Sequence, residues 1–173
     1  MSLDYLVGGA VYGASLAFVA IAIPRSTRLI LATVLTVAAL AYVPFAVAAD
    51  AGTGWVAAEL AGAGIFAYVA MRGIRGSAWW LVAGYALHPV WDVALHLAGP
   101  GRGVAPEWYA ASCLTYDLAV AAIGAIAILV GTHLTDAPAR TPTRTVVVPL
   151  RPTVCGCSVC TCAACRSMGA CVA

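Results

Sequence analysis

From residue 3 to residue 134 the chain is a series of long apolar runs, separated by short intervals that hold most of its charge. A helix rises about 1.5 Å per residue and the hydrocarbon of a bilayer is about 30 Å thick, so about 20 apolar residues make one crossing. Runs of that order cover residues 3–23, 29–49, 55–71, 78–98 and 109–134. In lipid every backbone N–H and C=O must find its partner within the protein, which leaves the helix as the natural form for isolated runs of this length. The expected fold is all-α: a polytopic transmembrane bundle of five spanning helices. Composition agrees, since 63% of the 173 residues are apolar and 9% charged, against about 25% charged in soluble domains.

The intervals read PRSTR, DAGTG, RGIRGS and GPGRGVAPEW. Arginine-bearing loops stay on the cytoplasmic side. Arg25 and Arg28 lie in the first interval, Arg72 and Arg75 in the third, and Arg140, Arg144, Arg151 and Arg166 beyond the last run. The expected orientation is N-terminus out and C-terminus in. The first run begins Met-Ser-Leu-Asp and lacks the basic start of a signal peptide. Trp55, Trp79, Trp80, Trp108 and Tyr109 fall at run ends, where aromatic belts sit. The expected setting is the cytoplasmic membrane of a bacterium, crossed several times, with the lipid bilayer as partner. The net charge of +2 gives no reason to expect nucleic acid. Gly9 with Gly13, and Ala58 with Gly62, are small-residue pairs that allow close helix approach, and a homo-oligomer through such faces is one expectation. Pro44 and Pro89 each remove a backbone hydrogen bond inside a run and should distort it.

Six polar side chains interrupt the apolar runs. LHPVWDVALH, residues 87–96, carries His88, Asp92 and His96 at spacings of four, which places them on one stripe of a helix. Glu59 lies near the start of the third run, and Cys113 and Asp117 lie four apart in the fifth. Counted from the outer ends, Glu59 and Cys113 are about 6 Å deep, Asp117 about 12 Å, and His96, Asp92 and His88 about 3, 9 and 15 Å. All six fall in the outer half of the membrane. An acid at mid-membrane costs about 2.5–3.5 kcal/mol, so a shared interior site is expected, in a cavity open or nearly open to the outer face.

Histidine with carboxylate is a ligand set for zinc or iron(II). His88 and His96 are about 12 Å apart along the axis, too far for one ion. The pairs His88/Asp92 or Asp92/His96, joined by Glu59 or Asp117, are the better ligand sets. Such a metal, with water in an open position, would support hydrolysis of a lipid-borne bond. A proton or small-solute path is a second reading, because chains of Asp, Glu and His form relays. A purely structural polar network is a third, with about 0.6 kcal/mol for each interhelical hydrogen bond. No residue is assigned as catalytic: there is no nucleotide-binding motif, no G-x-S-x-G and no H-E-x-x-H.

Residues 135–173 differ in kind. A polar Pro/Arg linker, expected to be disordered, leads to Cys155, Cys157, Cys160, Cys162, Cys165 and Cys171. In a reducing cytoplasm these thiols would stay free of disulfides, and close thiolates suit zinc or copper(I). The alternative is an incidental extension of the 1–134 domain.

Trp55 followed by Glu59, the LHPVWDVALH core and Cys113 followed by Asp117 make one pattern. Over roughly residues 41–122 it resembles an uncharacterised family of small polytopic integral membrane proteins. The resemblance implies a shared membrane fold and supports Glu59, His88, Trp91, Asp92, His96, Cys113 and Asp117 as its marked positions. It implies no activity.

Overall fold

In the computed structural model, residues 2–132 and residue 134 are described. They form α1 (Leu3–Ile21), α2 (Thr27–Leu40), α3 (Tyr42–Ala48), α4 (Thr53–Arg75), α5 (Trp79–Trp91), a π-helical turn (Asp92–Leu97) and α6 (Glu107–Leu129). Among the described residues there is no strand, only an isolated bridge between Arg102 and Ala105. His133 and the six tail cysteines, Cys155 to Cys171, lie outside the described residues, as does the expected 135–173 tail region.

Among the described residues four helices are long and apolar enough to cross a membrane: Leu3–Ile21, Thr27–Ala48, Thr53–Arg75 and Glu107–Leu129. The second contains α2 and α3, which meet at Ala41. Pro44 explains the break, because it has no N–H to offer the carbonyl of Leu40. The run expected at 78–98 is divided between α5 and the π turn, and so is not one regular helix. The π turn starts three residues after Pro89, and its wider bonding shows where Ala98 N–H reaches back to the Val93 carbonyl at 2.9 Å.

Small residues decide how the helices pack. A Cβ at Gly9 would strike the Ser112 carbonyl, and one at Gly13 would strike the Tyr116 backbone. That lets α1 lie against α6, where Thr115 Oγ1 donates to the Leu6 carbonyl at 2.7 Å. A Cβ at Gly62 would come within 2.6 Å of the Trp91 ring. Gly9, Gly13 and Gly62 are therefore covered by helices of the same chain.

One half of the bundle is apolar, built on Leu31, Leu35, Phe66, Leu81, Tyr85 and Val120. The Tyr85 hydroxyl enters this core by donating to the Leu31 carbonyl at 2.7 Å. Near that end Arg28 donates to the carbonyls of Gly76 and Leu134, tying the first and third arginine-bearing loops to the residues after α6. Val11, Val37, Ile65 and Ile126 are all more than half exposed. An apolar exterior of this kind is consistent with a membrane protein.

Candidate functional site

The polar residues gather in the other half, toward the loops at 49–52 and 98–106. His88 lies in the last turn of α5, Asp92 opens the π turn, and Asp117 comes from the middle of α6. The His88 Nδ1 atom is 2.7 Å from Asp117 Oδ2 and 3.5 Å from Asp92 Oδ2. One ligand atom from each of the three falls within 4.8 Å of the other two. All three side chains are 0% exposed. Phe66 of α4 presents its ring edge-on to the His88 imidazole, with centroids 4.8 Å apart.

His96 and Glu59 form a second buried pair. Their closest atoms, Nε2 and Oε1, are 3.3 Å apart. Trp91 directs its indole N–H at the other Glu59 oxygen from 3.4 Å. On a regular α-helix His96 would continue the stripe of His88 and Asp92. In a π turn the bonds run i to i+5, so four residues complete less than one full turn. This turns His96 away from the stripe and toward α4, where Glu59 waits. The two histidines are thus in separate pairs, as their axial distance requires.

Cys113 is buried one turn before Asp117 on α6. It stays outside the three-residue group and lines a groove between α1, α2 and α6 with Tyr109 and Tyr116. All six sequence candidates therefore lie in one half of the bundle, but only His88, Asp92 and Asp117 converge tightly enough to share an ion.

Tyr42 is the residue that sequence reasoning missed. It is 0% exposed, at the first position of α3. Its ring stacks on His96 at 4.2 Å with 11° between planes, and meets His88 at 6.0 Å. Tyr109 packs edge-on against its other side at 5.3 Å. The Tyr42 ring therefore bridges the two histidine pairs.

The expected cavity open to the outer face is not what the structure contains. Glu59, His88, Asp92, His96 and Asp117 are each less than 5% exposed. Tyr42, Phe66, Trp91 and Tyr109 close around them, because large flat rings fill the space between helices that small residues alone would leave open.

Sealing leaves polar atoms without partners. Oδ1 of Asp117, Nε2 of His88 and Nδ1 of His96 make no hydrogen bond, while the Tyr42 hydroxyl faces the Asp92 carboxylate. An unsatisfied buried polar group costs about 1–3 kcal/mol, more if charged. Charge is also unbalanced. Three carboxylates face two imidazoles, so even with both rings protonated a charge of three minus two remains. A bound cation would supply the missing charge and take up the free oxygens. One nitrogen and two carboxylates make a group of three that could hold a metal ion.

No curated protein and no solved structure matches the chain. A family match exists and runs from residue 4 to residue 134. It takes in α1, α6 and every candidate residue in the bundle, and extends well beyond the 41–122 stretch that carries the sequence pattern. The chain belongs to the family of unknown function DUF6010.

Proposed function

We propose that this is a membrane protein with five spans, N-terminus out and C-terminus in, that binds one zinc or iron(II) ion on His88, Asp92 and Asp117 in the outer half of the bilayer. The fifth span in this reading is α5 with its π turn. The observation that carries the proposal is the convergence of the three ligand atoms within 4.8 Å, beside an Asp117 oxygen and a His88 nitrogen that have no partner. Glu59, His96 and Tyr42 form the layer beside the ion and do not ligate it. A water in the open position would be acidified by the metal, which supplies the nucleophile for hydrolysis of a lipid-borne bond.

The test is metal content by mass spectrometry on the full chain in detergent, wild type against Asp92→Asn. Cobalt(II) loading separates this site from the cysteine tail, since thiolate ligands give intense charge-transfer bands and nitrogen and oxygen ligands do not. The expected result is one equivalent of oxygen- and nitrogen-bound metal, lost in Asp92→Asn. Folded wild type with no such metal would overturn the proposal.

A structural polar network is the second reading. The 2.7 Å contact between His88 and Asp117 favours it, because that contact is already closed without an ion. Under this reading the metal analysis shows nothing, while loss of either partner still destabilises the bundle.

A further inference from the structure

On the lipid-facing side of α4 and α5 lies a groove of about 850 Å³. Its lining includes Ala58, Ile65, Phe66, Leu87, Val90 and Trp91, and no charged side chain contributes to it. Its origin is in the sequence. Gly54 and Ala58 of α4 and Ala94 of the π turn are among its lining residues, and their small side chains leave space that larger ones would fill. Ile65, Leu87 and Val90, on its rim, are more than half exposed. From Gly54 to Val69 the lining follows α4 for about 22 Å at 1.5 Å per residue, more than the roughly 15 Å depth of one leaflet.

The groove also borders the polar core. Two of its wall residues are also walls of the polar core. Phe66 stands edge-on to His88 at 4.8 Å, and Trp91 directs its N–H at Glu59 from 3.4 Å. One aromatic ring separates the groove from the buried histidine and acids.

We infer that this groove is a binding site for a single acyl chain of a bilayer phospholipid, held against the aromatic partition of the polar core. The chemistry of the lining excludes a charged or polar ligand, and a membrane bundle exposes this hollow to acyl chains along its whole length. The inference rests on the bundle lying in a bilayer and not on an ion at His88, so metal analysis and lipid analysis can fail separately. It also gives the proposed site a substrate class, since the occupant would lie one ring away from the three ligands.

The experiment uses the full chain in nanodiscs of phosphatidylcholine with a diazirine on one acyl chain. After illumination, peptide mass spectrometry locates the cross-links. The expected result is strong labelling at Ile65, Leu87 and Val90 compared with Val11, Val37 and Ile126 on the open exterior. Ala58→Trp, which fills the groove, should reduce that labelling to the level of the open exterior. Leu87→Trp narrows the same groove from its rim and serves the same purpose if the first variant fails to fold, with labelling read at Ile65 and Val90. Equal labelling over all lipid-facing helices, unchanged in the folded variants, would mean annular lipid only and would overturn the inference. Protein–protein cross-links through the groove in its place would assign it to a second copy and overturn it equally.

Discussion

Asp92 is fully buried between the Tyr42 hydroxyl and an imidazole 3.5 Å away. Asp117 holds that same imidazole more closely, at 2.7 Å. The two acids therefore depend on His88 to different degrees. Removing one partner from a buried pair leaves the other uncompensated, at about 3–5 kcal/mol. Asp117→Ala should thus destabilise the metal-free protein by about that amount, measured by unfolding in mixed detergent. Tyr42 separates ring from hydroxyl. Its hydroxyl faces the Asp92 carboxylate, so Tyr42→Phe should cost about 1–3 kcal/mol, whereas Tyr42→Ala should cost about 3–5 kcal/mol or more by losing the aromatic volume as well. Equal costs for the two would contradict the bridging role given to the ring.

The acids and histidines were legible in the sequence because a charge inside an apolar run has few innocent explanations. Tyr42 was not, for the opposite reason. A tyrosine in an apolar run reads as core or belt, and only the stacking on His96 distinguishes it.

Among the elements, the π turn had the least warning in the sequence. Pro89 signalled a distortion in that run, but not that the next turn would widen and carry His96 over to α4. A strict α-helix would have kept three ligands on one stripe. The close pairing of α1 with α6 was partly legible from Gly9 and Gly13, yet the sequence could not say whether those faces met a neighbour in the same chain or in another copy. The packing makes a contrast between two adjacent glycines. A Cβ at Gly9 meets the Ser112 carbonyl, while one at Gly8 meets nothing within 4 Å. Gly9→Leu should therefore cost about 1–3 kcal/mol or more by overpacking, and Gly8→Ala should be neutral within about 0.5 kcal/mol. Thermal unfolding of the two variants in one detergent compares them directly.

At the level of the molecule, apolar run length made the helical membrane fold legible before any contact was known. Enclosure of the site was not legible, since it depends on rings from α3, α4, α5 and α6 meeting in three dimensions. The outcome is a bundle whose apolar half is tied to its arginine-bearing loops and whose polar half is sealed by aromatic rings. An ion in that half must bind only when the site opens, so metal exchange should be slow. In the folded full chain, chelator should strip that ion slowly, and fast once denaturant opens the bundle. Equally fast release from the folded chain would contradict a sealed site.

The division of labour between the two histidines is what the metal account depends on most. The decisive measurement is the metal content of His88→Ala beside His96→Ala, each purified as the folded full chain. The account predicts that His88→Ala loses one equivalent of non-thiolate metal and that His96→Ala keeps it. Retention in His88→Ala, or equal loss in both, would contradict a centre built on His88, Asp92 and Asp117.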